Sequence, residues 1–380
     1  MTPTVSVIIP VYNQAQYVAQ AIDSVLAQQF TDYEIIVVND GSTDESPQVL
    51  NRYRGRIGVI TQTNQGLSAA RNSALQVARG EFIGFLDADD LWYPHTLATT
   101  VAYLRDHPDL DLVCGAWDLI NEAGQVIQPP NNFSVYREKV AKDFLRTIAL
   151  GNFILPSALL VRRTCFDRCG RFDPDLKGVE DWDFMSRVAA KGCRLGLIDV
   201  PVLHYRRHEG CLTRKPERTE KASRQVLDKL FSRPDLAAHL APDLRDHAFI
   251  YAWLSIAGYC QEAGLETEVR RFVQMAEKHY DAAPPDIELS LAYLNRLAQL
   301  SSAEPFMQKI ADTTPEARSL FYWLMARRAF ERRDYRAGAT YLVRLNRPAW
   351  LIKKATLAAV RRLPGVTYKS SEEVFGTQGL

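Results

Sequence analysis

The stretch VSVIIPVYNQAQYVAQAIDSVLAQQFTDYEIIVVND, residues 5–40, decides the fold class of this chain. It begins with a β-branched run over residues 5–9 and ends with a second one over residues 34–39. Between the two runs, residues 14–27 repeat apolar side chains at the spacing of a helix. A strand, a helix and a strand in this order predict a βαβ unit with parallel strands.

The same alternation continues beyond this unit. Continuous apolar strands between helices are typical of a parallel sheet that is covered by helices on both faces. The predicted strands are residues 5–9, 34–39, 58–61, 81–86, 111–114, 153–161 and 194–198. The predicted helices are residues 14–27, 44–53, 67–78, 94–107 and 181–190, with Asp44 as the N-cap of the second. Ligands of such sheets bind outside the carboxyl ends of the strands, so the residues after each strand are the candidates for chemistry.

The chain changes texture at about residue 219, where strand signals stop and long helical patterns begin. Residues 252–265 are echoed by residues 322–335 at an offset of 70, or twice 35, close to the 34-residue period of tetratricopeptide arrays. We therefore expect an α/β domain over residues 1–218 and an α-helical domain of helical hairpins over residues 219–380. Whether the hairpins are true tetratricopeptides stays open.

The charges of the chain nearly cancel, with 46 Lys and Arg against 45 Asp and Glu, a formal net of +1. The cancellation is uneven, because residues 318–369 hold 13 basic and two acidic side chains, a net of +11 that leaves −10 elsewhere. Residues 350–363 interleave apolar and basic side chains, a pattern that could lie on an anionic membrane surface. The alternative is a solvated basic face on an ordinary packed helix.

The six cysteines are scattered, without a CxxC pair, so we expect neither a disulfide framework nor a structural zinc site. Reduced thiols indicate a cytoplasmic protein. The N-terminus shows no signal peptide, and no run reaches the roughly 18–20 apolar residues of a membrane span. We therefore expect a cytoplasmic protein. Its basic C-terminal region could also bind it peripherally to the inner face of the cell membrane.

Polar clusters follow three of the predicted strands: residues 10–13 (PVYN), 40–44 (DGSTD) and 87–90 (DADD). Each alone is typical of turns and helix caps. Together at one edge of a parallel sheet they indicate a ligand site. The three carboxylates of residues 87–90 repel one another unless a cation joins them, and Mg²⁺ usually combines one or two carboxylates with substrate phosphates.

The sequence lacks the two common glycine-rich motifs that bind phosphate groups. The chain has no GxGxxG after its first strand and no GxxxxGK[ST], which disfavours dinucleotide and P-loop chemistry. Phosphates would then be held mainly by a metal. Tyr12 could stack on a base, Asp40 could accept hydrogen bonds from a base or ribose, and Arg71 could point into the same pocket or be an exposed helix arginine.

Four segments carry a family resemblance: VSVIIPVYNQAQYVAQAIDSVLAQQF, YEIIVVNDGSTDES, NQGLSAARNSAL and GEFIGFLDADD. In order and spacing they resemble the family 2 glycosyltransferases, strongly over residues 5–90 and more loosely to about residue 213. The resemblance implies the GT-A fold, a nucleotide-sugar-binding α/β sandwich with a mainly parallel central sheet. It also implies Mn²⁺ or Mg²⁺ as cofactor and sugar transfer with inversion.

The resemblance also implies roles for particular residues. Asp87 and Asp89 form a DxD-type motif for ribose and metal, and Asp90 replaces or assists one of them, so all three are metal candidates. The predicted nucleotide-sugar contacts are Pro10, Val11, Tyr12, Asn13, Asp40, Gly66, Arg71, Asp87, Ala88, Asp89, Arg207 and His208.

The catalytic base is expected in GVEDWDF, residues 178–184, which resembles the family's Glu-Asp pair at a helix start. An inverting transfer needs a carboxylate on the acceptor side to remove the hydroxyl proton. We predict Asp181 as base and Glu180 as the residue that orients the acceptor, with Asp183 a weaker candidate and an N-cap pair as the structural alternative. HYRRHEGCLT, residues 204–213, resembles the family's catalytic loop, although Cys211 stands where a small polar residue is common.

The predicted function is metal-dependent inverting transfer of a sugar, with a UDP-sugar before dTDP- or GDP-sugars, to a glycan or lipid-linked acceptor. Cell-surface or exopolysaccharide synthesis is the expected setting. The alternatives are an inactive GT-A domain that acts as a scaffold with its helical region, and a nucleotidyltransferase, which would usually carry a glycine-rich basic loop. No nucleic-acid partner is expected, and the helical region could shape the acceptor site, form a homodimer or bind a partner enzyme.

Overall fold

The structure is a computed structural model that describes residues 2–341 except 209, 212–214, 242–243, 283–286, 301–302, 333, 335–336 and 339–340. The described residues fall into two compact units, one within Met1–Pro284 and one within Pro285–Leu380. The first unit holds the whole sheet. The expected boundary after residue 218 stays a prediction, and most of the basic region, including residues 350–363, lies outside the described residues.

The strands of the sheet are β1 Val5–Val11, β2 Tyr33–Asp40, β3 Gly58–Gln62, β4 Phe82–Phe85, β5 Leu91–Trp92, β6 Leu112–Ile120, β7 Val126–Gln128, β8 Leu159–Arg162 and β9 Leu195–Arg206. Their order across the sheet is β3-β2-β1-β4-β8-β6-β9-β5, with β7 paired to β6.

The helices of the first unit are α1 Val18–Leu26, α2 Ser46–Asn51, α3 Leu67–Val77, α4 Thr96–Asp106, α5 Ser134–Lys142, α6 Phe144–Leu150, α7 Thr164–Cys169, α8 Glu180–Ala190, α9 Pro216–Ser232, α10 Pro234–Ala237, α11 Leu244–Glu262 and α12 Glu266–Ala282. A short 3-10 turn, Pro156–Ala158, precedes β8. The second unit contains α13 Ile287–Leu297, α14 Glu304–Ala311 and α15 Pro315–Glu331.

The βαβ unit predicted from residues 5–40 is present and forms the centre of the sheet. Every residue of β1 is buried, and β1 pairs in parallel with both β2 and β4. α1 buries Val18, Ala21, Ile22 and Val25, the i, i+3, i+4, i+7 stripe of a helix that covers a sheet. The carboxyl ends of β1, β2 and β4 therefore lie side by side.

The sheet is parallel in its first half and mixed in its second. β3-β2-β1-β4 are parallel, β8 runs antiparallel to β4 and β6, and β6 and β9 are again parallel. β8 starts beside the end of β4, which brings the turn Pro156–Ala158 to the same edge of the sheet as the three polar clusters that follow β1, β2 and β4. The strand β9 is longer than the predicted 194–198 and carries Tyr205 and Arg206 into the sheet.

Two local expectations are corrected. Asp44 lies one residue before the N-cap of α2, which is Glu45; its carboxylate instead accepts hydrogen bonds from the Ala15 and Ser46 backbone N–H groups. Helices α5 and α6 were not expected between residues 115 and 150. Asp143, which accepts a hydrogen bond from the Arg146 N–H, separates the two and caps the second.

The helices from α9 to α12 belong to the first unit. α11 packs against α6 and α9, and α8 packs against α9. α11 and α12 form a helical hairpin that turns at Gly264, whose φ of 71° lies in the left-handed region. The buried Trp253 of α11 packs on Phe272 of α12, so the first copy of the predicted repeat, residues 252–265, covers one helix end and the turn of a helical hairpin.

The second copy of the echo begins in α15, and much of its following segment lies outside the described residues. Within the second unit, α15 packs against both α13 and α14. None of the helices in the described ranges has the length and apolar content that crossing a membrane requires.

Candidate active site

A cleft of about 820 Å³ opens at the carboxyl ends of β1, β2 and β4. The 178–181 segment and the residues after β9 complete its walls. All the predicted site residues except Arg207 line the cleft. They are Pro10, Val11, Tyr12, Asn13, Asp40, Gly66, Arg71, Asp87, Ala88, Asp89, Asp90, Glu180, Asp181 and His208. The fold thus brings residues from across the first 208 positions into one concave site of the size that ligands occupy.

The loops after β1 and β2 brace each other at one end of the cleft. Asn13 adopts a left-handed conformation with φ of 52°, and its Oδ1 accepts a hydrogen bond from the Thr43 N–H at 2.8 Å. In return, the Asn13 N–H donates to Ser42 Oγ at 3.1 Å. Beside this brace, Tyr12 is 47% exposed, which leaves its ring available to a ligand.

The carboxylate of Asp40 is buried and is already used by the chain. Its Oδ1 accepts from Gln62 Nε2 at 2.8 Å and from the Gln65 N–H at 2.9 Å, and its Oδ2 accepts from the Gly66 N–H at 2.8 Å. Gly66 has φ of 95°, which favours glycine there. Asp40 therefore shapes the turn that begins α3 as well as lining the cleft.

Arg71 is the centre of a buried charge network. Its Nη2 contacts Asp87 Oδ1 at 2.7 Å and its Nη1 contacts Glu180 Oε1 at 2.6 Å, while the side chain is only 1% exposed. Burial by itself lowers the pKa of Arg71, but the two carboxylates outweigh it and leave the pKa raised. The guanidinium also lies 5.3 Å from the centre of the Phe172 ring. Arg71 thus joins the 87–90 loop to the start of α8.

The three carboxylates of the DADD loop have different surroundings. Burial raises the pKa of Asp87, with Arg71 opposing the rise. Asp90 is fully buried and accepts a hydrogen bond from the Arg206 N–H at 3.0 Å; burial, then Asp89 and Asp87, raise its pKa well above the usual range. That contact favours a role for Asp90 in holding the loop against β9, and its predicted role as metal ligand stays a prediction.

Asp89 faces a second group of possible metal ligands. Its Oδ2 lies 2.8 Å from His208 Nε2, and the donor atoms of Asp89, His208 and Cys211 all lie within 4.8 Å of one another. The Gly210 N–H donates to His208 Nδ1 at 3.1 Å, which assigns the proton of the neutral ring to Nε2. A carboxylate, an imidazole and a thiol converge here.

Glu180 and Asp181, the predicted catalytic residues, follow a strained turn on the other side of the cleft. Gly178 has φ of 141°, and Val179, a β-branched residue, has φ of 48°. α8 starts directly afterwards, so Glu180 and Asp181 lie in its first turn, where the helix dipole favours negative charge. Asp181 Oδ2 accepts a hydrogen bond from Asn152 Nδ2 at 2.8 Å.

The surroundings of Asp181 change its acidity. Burial first, and then the neighbouring carboxylate of Glu180, raise the pKa of Asp181 to about 7, although the charge of Arg71 opposes the rise. A carboxyl group with a pKa near 7 has the proton affinity that suits a general base at neutral pH.

Two candidates have other partners. Arg207 does not line the cleft, because its guanidinium pairs with Glu262 of α11 and lies 5.7 Å from the Tyr259 ring centre. Asp183, the weaker candidate for the base, is buried and pairs with Arg187 at 2.8 Å. That ion pair gives Asp183 a structural role in α8.

Arg206 is the main residue of the site that sequence reasoning missed. Its Nε donates to the Asp89 carbonyl at 2.7 Å, and its Nη1 donates to the carbonyls of Asn121 and Glu122 at 3.2 and 2.9 Å. The guanidinium lies 4.8 Å from the Tyr17 ring centre. Arg206 therefore fixes the DADD loop from behind. The basic tract around it was the available signal.

Solved structures share this architecture. S. aureus TarS 1-349 in complex with UDP-GlcNAc matches with a TM-score of 0.50 at 20% identity, covering 89% of this chain and 90% of TarS 1-349. The mannosyltransferase PcManGT from Pyrobaculum calidifontis, in complex with GDP-Man and Mn²⁺, matches with a TM-score of 0.50 at 21% identity, over 82% and 85% of the two chains. The likeness shows the fold, which is of the GT-A type.

The sequence comparisons identify the family. The model for Glycosyl transferase family 2 matches residues 6–168. The uncharacterized glycosyltransferase EpsJ of Bacillus subtilis (strain 168) is 30% identical over 269 residues, which cover 69% of this chain and 74% of EpsJ. This chain belongs to the family 2 glycosyltransferases, as the resemblance of its four motifs predicted.

Proposed function

We propose that this glycosyltransferase moves a sugar from a nucleotide-diphosphate sugar, with a UDP-sugar as the first candidate, to a hydroxyl of a glycan or lipid-linked acceptor. The observation that carries the proposal is the bridge from Asp87 through Arg71 to Glu180. It joins the donor-side DADD loop and the acceptor-side pair within one cleft. Cell-surface or exopolysaccharide synthesis is the setting that we propose.

In the proposed reaction, the acceptor hydroxyl oxygen attacks C1 of the sugar, and the bond from C1 to the diphosphate breaks on the opposite face. The Asp181 carboxylate takes the hydroxyl proton, and the hydrogen bond from Asn152 holds that carboxylate in place. Glu180 stays bonded to Arg71 and fixes the turn that presents the base. The sugar leaves the nucleotide with inverted configuration.

The residues present fit a divalent cation. Asp87 and Asp89 offer the carboxylate oxygens that Mg²⁺ and Mn²⁺ prefer, and His208, whose Nε2–H donates to Asp89 Oδ2, would orient one of these carboxylates toward the ion. PcManGT, a structural neighbour, binds Mn²⁺. When bound, the cation supplies positive charge to the departing diphosphate. We propose that the exposed ring of Tyr12 stacks on the nucleobase of the donor.

The test is a thermal-shift screen of nucleoside diphosphates and nucleotide-sugars with Mn²⁺, followed by transfer of a labelled sugar from each donor that binds. A ligand at 100 times its Kd stabilises the native state by about 2.7 kcal/mol. Asp89→Ala should lose the Mn²⁺-dependent shift, and Asp109→Ala, a change at the exposed ion pair with Arg194, should keep it. Donor binding without transfer to any acceptor or to water would favour the scaffold alternative.

Association with an anionic membrane surface through the basic C-terminal region remains part of the proposal, as does a homodimer. The membrane proposal rests on the +11 net charge of residues 318–369. Salt-sensitive binding of the full chain to anionic vesicles tests it, and absence of binding at low salt would remove it.

A further inference from the structure

Three cysteines that are far apart in sequence meet in the interior of the first unit. Cys165 Sγ lies 3.9 Å from Cys169 Sγ and 3.6 Å from Cys193 Sγ, and the latter two sulfurs are 3.4 Å apart. All three side chains are buried. They form the three-cysteine cluster, in which each sulfur contacts the other two, although no CxxC pair announces it.

The sulfur triangle has the dimensions of a thiolate metal site. In tetrahedral zinc sites the Zn–S bond is about 2.3 Å, which sets sulfur atoms about 3.8 Å apart. The three observed separations bracket that length from 3.4 to 3.9 Å. One ion about 0.9 Å above the plane of the sulfurs could bond all three at about 2.3 Å, with its fourth tetrahedral position left to a ligand other than these three thiols.

The backbone around the cluster is built to bring the thiols together. Cys165 and Cys169 are four positions apart on α7, so both side chains lie on one face of that helix. Gly170 follows Cys169 with φ of 73°, and Gly192 precedes Cys193 with φ of 69°. Both glycines permit sharp turns that direct the flanking cysteines inward.

The charge around the cluster suits thiolates. Three thiolates and one divalent cation carry a net charge of −1, which is costly in an interior without compensation. Arg168 and Arg187 lie within electrostatic reach of Cys169, and Arg187 also donates hydrogen bonds to the carbonyls of Cys169 and Arg171. Each arginine also pairs with a carboxylate, Arg187 with Asp183 and Arg168 with Asp111, so the two cations offset part of the charge of a thiolate site.

We propose that Cys165, Cys169 and Cys193 bind one Zn²⁺ as a buried three-thiolate site separate from the catalytic cleft. Binding replaces three S–H protons by three S–Zn bonds and releases the protons to solvent. The site would fasten α7 to the loop between α8 and β9. Arg187 of α8 donates a hydrogen bond to the Cys169 carbonyl of α7, and α8 is the helix that begins with Glu180 and Asp181.

The first experiment measures zinc in the full chain, purified with reductant and dialysed, by mass spectrometry of the metal. We expect about one equivalent per chain. Titration of the wild type with a mercurial thiol reagent should release that zinc. Replacement by Co²⁺ should give the near-ultraviolet charge-transfer absorption of cobalt–thiolate bonds. These wild-type readouts need no variant to fold.

The second experiment assigns the zinc to the cluster. Cys169→Ser and Cys193→Ser should lower the zinc content to below about a tenth of an equivalent, because two thiols hold the ion weakly. Cys260→Ser, at a buried cysteine of α11, is the matched control and should keep the zinc, as should Asp89→Asn in the cleft. Metal-free wild type, whether fully reduced or carrying a disulfide, would overturn the proposal. So would zinc that persists in both cluster variants.

Discussion

Replacing Arg71 by Met tests the charge network that joins the two sides of the cleft. The change removes the cation that Asp87 and Glu180 share, while keeping much of the apolar stem that packs near Phe172. Both carboxylates would then face each other without compensation. We expect the variant to fold with reduced stability and to lose transferase activity.

The size of the effect follows from burial. Removing one member of a buried ion pair costs about 3–5 kcal/mol, since the remaining charge stays desolvated. Asp87 is 31% exposed and Glu180 only 6%, so solvent relieves the first more than the second, and we expect about 3–4 kcal/mol. For a unit of roughly 280 residues, whose unfolding entropy is about 0.6 kcal/mol/K, that lowers Tm by about 5–7 °C.

The pH dependence has a defined sign. Burial already raises the pKa of Asp87 against the opposition of Arg71, so loss of Arg71 raises it further. A carboxyl whose folded-state pKa is raised destabilises the fold above that pKa, and the penalty disappears as the pH falls through it. The stability gap between wild type and Arg71→Met should therefore be smaller at pH 5 than at pH 8.

The assay is urea unfolding of wild type and variant at both pH values, beside Arg79→Met as control. Arg79 pairs with Glu34 at 2.7 Å but is 65% exposed, so its loss should cost about 0–1 kcal/mol at either pH. Equal losses for the two variants, or a gap that does not narrow at low pH, would refute the buried network.

Two further predictions concern the turn at residues 178–181, where α8 begins. In wild type, kcat/KM should fall below about pH 7 as Asp181 takes up a proton. Glu180→Gln should move this acid limb of the pH profile to lower pH, because the variant lacks a charge that raises the pKa of Asp181. An acid limb at the same pH in both proteins would contradict that cause. Val179→Gly, which relieves a left-handed φ of 48°, should change the unfolding free energy by no more than about 1 kcal/mol, whereas Val188→Gly in the buried interior of α8 should cost at least about 2 kcal/mol in the same urea titration. A large loss for Val179→Gly would mean that the side chain itself holds the turn.

The centre of the fold was predictable because its strands are buried on both faces. β1, β2 and β4 read as continuous apolar runs, and the polar residues at their ends fall where chain geometry must place them. The extension of β9 was not predictable in this way. Asp199 and Pro201 interrupt its apolar pattern, and the register with β6 shifts nearby.

That extension explains why the structural contacts of Arg206 were not predicted. Successive side chains of a strand point to opposite faces, so the roles of Arg206 and Arg207 depend on whether β9 reaches residue 206. With the strand present, Arg206 turns toward the DADD loop and Arg207 toward Glu262. Charge pattern alone cannot choose between neighbours on a strand whose end is unknown.

The partners of buried polar groups were also beyond sequence reasoning. Asp90 and Asp89 are adjacent in a run of acids, yet one accepts a hydrogen bond from the Arg206 backbone and the other faces His208. The three-cysteine cluster joins residues separated by up to 28 positions. Such contacts depend on how helices and strands pack, which local patterns do not specify.

Turnover of Asp181→Asn measures whether the Asp181 carboxylate acts as the catalytic base. The substitution keeps the size of the side chain and removes its ability to take a proton. We predict that kcat falls by about 10²–10⁴-fold, while the Kd for nucleoside diphosphate with Mn²⁺ stays within about threefold of wild type. A variant that binds nucleotide and turns over at the wild-type rate would contradict the account.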